Sequence, residues 1–204
     1  MAAEQGLQVD RDQFTALMTE QRERARADAR AKKGGARSTE AYKSLRAQGA
    51  TGFRGYFDLA LDSKVLGIVR DGELVHAAEP GDVVEVVLAD TPFYAEAGGQ
   101  DADRGTIDAG ETRLDVLDVQ TPVEGLIVHQ VEVGAGLLES GVDVLASVDP
   151  FHRMGACQAH SATHIVHAVL HEVVGPTAVQ AGSYNKPGYL RFDFQATSGL
   201  SQDQ

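Results

Sequence analysis

At 204 residues and 43% hydrophobic content, the chain is long enough for one large domain or two small ones with a buried core. No apolar run approaches the ~18 residues of a membrane span and no basic-then-apolar leader opens the sequence, so a cytoplasmic protein without membrane contact is expected. The lone Cys157 excludes an intramolecular disulfide, and a net charge of −12 has the wrong sign for attracting phosphate backbones by bulk electrostatics.

The charge is unevenly placed. Residues 1–48 carry ten Lys/Arg against seven Asp/Glu, and the remainder carries 8 against 23. Residues 14–33 are expected to form a helix. Phe14, Leu17, Met18 and Gln21 give a short stripe, and RERARADARAKK follows without Gly or Pro until Gly34-Gly35. Such a basic helix is compatible with RNA contact and equally with a solvated surface. A second short helix is expected over 39–47.

From residue 53 to about 148 the period changes to two. Strands are expected over 53–59, 64–69, 74–77, 83–88, 104–107, 112–119, 126–133 and 143–148, with Asp71-Gly72 as a tight hairpin turn. Their number and spacing predict a small antiparallel barrel. After Asp149-Pro150 the pattern becomes helical over 153–174, stopped by Gly175-Pro176. A strand over 189–194 closes the pattern with too few partners of its own, as if further strands were missing.

The 153–174 helix carries the most informative chemistry. His160 and His164 are four residues apart, which places both imidazoles on one face, within reach of one metal ion. Cys157, His160, His164, His167 and His171 all fall within about 80° of arc. Zinc takes imidazole and thiolate, four in a structural site or three plus water in a catalytic one. A generic HxxxH is weak evidence, and surface or internally satisfied histidines remain open. Cys157 is compatible with a third ligand and with a small core residue. No histidine or cysteine follows His171, so four ligands are not completed downstream. In TPFYAEAGGQ, residues 91–100, Gly98-Gly99 permits close backbone approach to a ligand, and an ordinary barrel loop is the alternative. No Walker loop, dinucleotide fingerprint or nucleophile elbow is present.

TPFYAEAGGQ, then HSATHIVHAVLHEVVG, then Gln180-Ala181-Gly182-Ser183 and LRFDF occur in an order and at spacings that resemble alanyl-tRNA synthetases, over nearly the whole chain. The opening VDRDQFTALMTEQRERAR resembles the segment that joins the aminoacylation and editing halves of such enzymes, which would place Met1 at an internal position. The resemblance implies an α+β fold: a small antiparallel β-barrel followed by an incomplete α/β editing core of a His-bearing helix plus a strand. The implied domains are a helical linker (1–50), the barrel (51–150) and a truncated start of the editing domain (151–204). It further implies zinc-dependent hydrolysis of tRNA(Ala) wrongly charged with serine or glycine. His160 and His164 would hold zinc together with a later Cys-x-x-x-His segment. Thr163 would line the amino-acid pocket, Gln180 and Ser183 would be polar pocket residues, and Gly98, Gly99 and Gln100 would place the substrate. Zinc would orient the substrate or polarise a water.

The Cys-x-x-x-His half is not in this sequence, nor is any ATP or alanine site; ATP and magnesium belong to the parent enzyme alone. The expectation is a fragment of such an enzyme, with little or no catalysis by itself. The alternatives are a freestanding editing hydrolase completed by self-association, and a non-catalytic module binding tRNA or a synthetase.

Overall fold

The computed structural model describes residues 36–196, together with Gln13, Met18 and Thr19. The basic helix expected over 14–33 lies outside the described residues apart from Met18 and Thr19. Helix α1 (Ala36–Gln48) leads into β1 (Gly52–Phe53), β2 (Ala60–Arg70), β3 (Glu73–Val75), β4 (Ala77–Ala78), β5 (Val83–Leu88) and β6 (Asp90–Thr91). There follow β7 (Gly105–Ala109), β8 (Thr112–Val123), β9 (Leu126–Ala135), β10 (Leu138–Glu139) and β11 (Asp143–Val148). Helix α2 (Pro150–Val173) and the hairpin β12 (Gln180–Lys186) and β13 (Tyr189–Phe194) complete the described chain.

The main sheet runs β11-β7-β8-β9-β5-β2-β3, and β11 also pairs with β2. Six antiparallel strands therefore close on themselves, with β3 folded back as a hairpin extension of β2. Closure follows from alternation. β8 reads buried-exposed-buried over its first five residues, with Thr112, Leu114 and Val116 inward. Val65, Ile68, Val86, Leu88, Ile107, Val131 and Ala146 fill the interior. At the turn between β2 and β3, Asp71 (φ 53°) and Gly72 (φ 82°) both adopt positive φ, as a two-residue hairpin requires.

Helix α1 lies on the outside of β2, β5 and β9 through a second apolar cluster of Tyr42, Leu45, Val69, Val87, Leu126 and Val128. Gly67 makes this approach possible: a Cβ there would lie 2.4 Å from Leu45 Cδ2. Among the described residues no helix is long and apolar enough to cross a membrane.

Two strand expectations need correction. Residues 53–59 form a strand only at Phe53, because the chain turns at Gly55, where a Cβ would lie 2.2 Å from the Pro92 carbonyl oxygen. The strand 189–194 is not left without a neighbour: β12 pairs with it antiparallel across a Pro187-Gly188 turn. The polar sequence QAGSYNK concealed that strand, since it lacks the β-branched residues by which strands are read.

Candidate functional site

Helix α2 begins three residues earlier than its apolar pattern suggests. Asp149 is the N-cap, its side chain accepting from the backbone N–H groups of Phe151 (2.8 Å) and His152 (3.2 Å), and Pro150 occupies the first turn. The helix packs through small residues, Ala156, Ala159 and Thr163, while Ile165, Val169 and Val173 stay exposed. The histidine stripe flanks this packed face.

Arg153 locks α2 to the barrel. Its Nε lies 2.8 and 3.0 Å from the two Asp103 oxygens, and Nη2 forms a further short ion pair to Asp103 Oδ2. Nη1 and Nη2 also donate to the Gly55 and Pro92 carbonyls at 2.7 and 2.8 Å. Asp103 is 1% exposed and also accepts the Tyr94 N–H at 2.7 Å. The hydrogen bond to Asp103 holds the Arg153 guanidinium above its usual pKa. A fully bonded buried pair of this kind fixes orientation, because either charge alone would be stranded. Sequence reasoning missed it, since nothing marks two residues 50 apart as partners.

A second buried polar chain anchors the TPFYAEAGGQ loop. His129 is wholly buried, with Nδ1 2.9 Å from the Val86 carbonyl. A carbonyl only accepts, so Nδ1 carries the proton and Nε2 accepts from the Thr91 hydroxyl at 2.8 Å. Thr91 Oγ1 in turn accepts the Phe93 N–H at 3.1 Å. Burial lowers the His129 pKa to about 4, which keeps the ring neutral at physiological pH.

The sequence-predicted residues converge on one region. His160 and His164 have their Nε2 atoms 3.1 Å apart and their ring centroids 4.9 Å apart. Two nitrogens on one tetrahedral zinc are separated by about 3.3 Å, given Zn–N of ~2.0–2.1 Å, so the pair is spaced to share an ion as readily as a proton. His160 Nδ1 is buried without a hydrogen-bond partner among the described residues, so no acceptor of the kind that usually orients a ligating imidazole meets it there. No third His, Cys, Asp or Glu joins them as a metal-binding group among the described residues. The donor set thus fits zinc at two coordination positions. Cys157 is exposed. Together with His160, Gln100, Phe53, Tyr56 and Tyr94 it lines a cavity of about 320 Å³ between barrel and helix. Burial raises the Tyr94 pKa, which keeps its phenol protonated.

Asn185, which sequence reasoning did not single out, ties these parts together. It is 1% exposed, and its Oδ1 lies 2.6 Å from the Thr163 hydroxyl, which also approaches the Ala159 carbonyl at 3.0 Å. Its backbone N–H donates to the Gly99 carbonyl at 2.7 Å, and its carbonyl accepts from Asp101 N–H at 2.9 Å. Gln100 and Asn185 form a parallel bridge. Gly99 (φ 80°) sits so close to β12 that a Cβ would lie 2.5 Å from Ser183 Oγ and 2.6 Å from the Ser183 carbonyl oxygen. Gly98 (φ 59°) faces open space. Gln180 is exposed and its amide donates to Ser183 Oγ at 3.0 Å. Gly99, Gln100, Thr163 and Ser183 are therefore one assembly, with Gly98 and Gln180 at its rim.

The family model described as "tRNA synthetases class II (A)" matches residues 1–151. The chain belongs to the class II (A) tRNA synthetase family, as an alanyl-tRNA synthetase segment. It is 63% identical over 201 residues to the alanine–tRNA ligase of Cutibacterium acnes and 54% identical over 201 residues to that of Paenarthrobacter aurescens. Each match covers 98% of this chain and 22% of the relative. The ligase of Leifsonia xyli is 52% identical over 203 residues, which is 100% of this chain and 23% of that protein. The chain thus spans less than a quarter of the length of these relatives. The family match ends within the first turn of α2, so the histidine helix and the ribbon are covered by the relatives alone.

Proposed function

We propose that this chain carries part of an editing region that hydrolyses the ester of tRNA(Ala) mischarged with serine or glycine. The observation that supports this most directly is the His160–His164 pair, with Nε2 atoms 3.1 Å apart, on the helix that also carries Thr163. His160 and His164 would hold zinc, and bound zinc would supply Lewis-acid polarisation of the ester carbonyl or of an attacking water. The chain's own residues would place the substrate. Gln100 and His160 line the same cavity, which suits an amino-acid ester lying between loop and helix. Thr163 would act through Asn185, whose backbone N–H holds the Gly99 carbonyl of the loop, because the Thr163 hydroxyl is buried against Asn185. Gln180 and Ser183 would offer polar contacts at the rim. A cytoplasmic location and tRNA as partner belong to this reading.

Two nitrogens bind zinc far more weakly than four, so turnover by the chain alone should be slow unless a second subunit contributes ligands. The test is deacylation of Ser-tRNA(Ala) by the purified 204-residue chain, with added zinc and with chelator, beside His160→Ala. Slow zinc-dependent hydrolysis, lost at least tenfold in the variant, is expected. Equal rates with zinc and chelator, or in parent and variant, would sink the reading.

A further inference from the structure

The ribbon β12–β13 has two unlike faces. In its register Lys186 lies opposite Tyr189 and Tyr184 opposite Arg191, which puts all four side chains on one face. Asn185 and Phe192 point the other way, toward α2: Asn185 meets Thr163, and the Phe192 ring lies 5.2 Å from that of His167. On the outer face the Tyr184 and Tyr189 rings are 6.1 Å apart, with Lys186 Nζ 5.9 and 5.4 Å from their centroids. The Tyr184 hydroxyl donates to Asp101 Oδ1 at 3.3 Å, which fixes that ring. Tyr189 is 46% exposed, and Arg191 leans toward Asp193 at 3.1 Å with most of its side chain in solvent.

Two rings interleaved with two cations form an unusual surface in a body where acidic residues outnumber basic ones 23 to 8. Ring faces accept any base, and neighbouring ammonium or guanidinium groups accept the phosphates between bases. A duplex conceals its base faces in the stack, so the chemistry matches a single strand. We propose that the Tyr184–Lys186–Tyr189–Arg191 face is a stacking platform for single-stranded RNA. That the RNA is the unpaired end of a charged tRNA rests on the editing reading above. The platform lies on the reverse of the strand that holds Asn185 against Thr163 of the histidine helix.

Fluorescence anisotropy with the full 204-residue chain tests this, using an end-labelled single-stranded RNA of about 12 nucleotides and the same RNA as a duplex. The single strand should bind at least about tenfold more tightly than the duplex. Tyr189→Ala should weaken single-strand binding about tenfold, while Tyr189→Phe and Tyr184→Phe stay within about twofold of the parent chain. Lys186→Ala should lower the slope of log affinity against log salt by roughly 0.7. This pattern in a chain that does not hydrolyse Ser-tRNA(Ala) would remove the editing reading and leave the platform standing. Equal affinity for single strand and duplex, or Tyr189→Ala binding like Tyr189→Phe, would overturn the platform.

Discussion

Adjacent glycines in the loop before β7 meet different constraints. Gly98 and Gly99 both have positive φ, but only Gly99 faces a wall. Gly98→Ala should lose only the left-handed backbone preference, about 1 kcal/mol, and leave the loop in place. Gly99→Ala adds a methyl group where Ser183 backbone already lies 2.6 Å away, and backbone does not step aside as a flexible side-chain tip can. It should cost about 2–4 kcal/mol and part the loop from β12. Urea unfolding of the two variants checks this, with amide exchange at Asn185 N–H as the local readout. Equal losses would show that Gly99 is not packed against the strand in solution.

Helix α2 is attached to the barrel by chemistry more than by apolar area, since its packed face is Ala156, Ala159 and Thr163. Asp103→Ala leaves a guanidinium that is 15% exposed, and the Tyr94 N–H, without their acceptor. A loss of about 3–5 kcal/mol is expected in urea unfolding, whereas replacing both Asp103 and Arg153 by apolar residues should recover part of it. A double variant as unstable as Asp103→Ala would count against the pair acting as a unit. The same contrast explains what could be read beforehand. Strands such as Val83–Leu88, a short apolar run, and Asp143–Val148, an alternating one, were legible to the residue because both patterns are local. The His160–His164 pair was legible because helical spacing is local too. The long-range partners were not: Asn185 with Thr163, Arg153 with Asp103 and Thr91 with His129 are joined only by the fold. Asp149-Pro150, after which the pattern becomes helical, is itself the cap and the first helical residue.

For the molecule as a whole, His129 couples stability to pH. Its folded-state pKa is lowered to about 4 from 6.5, so below pH 6.5 the unfolded chain binds the proton that the folded one refuses. Its contribution is fully present above pH 6.5 and is lost as pH falls toward 4, by about 2 kcal/mol at pH 5 and about 3 kcal/mol in all. Urea unfolding between pH 7 and 5 should show His129→Gln with a shallower pH slope than the parent chain by that amount. Identical slopes would mean that the ring binds its proton as readily in the folded barrel as in the unfolded chain.

The barrel's closing seam pairs Ala60–Lys64 of β2 with strand β11, roughly 80 residues later, and the backbone of Leu59 and Arg104 receives Val148 and Asp149 at its end. A chain emerging residue by residue can form the hairpins β2–β3 and β8–β9 early, yet it cannot seal the cylinder until Val148 is free. The next residue, Asp149, already caps the histidine helix. Synthesis therefore delivers the last stave and the first turn of that helix at the same moment, and an interrupted chain ending before residue 148 would present open β-edges to its neighbours.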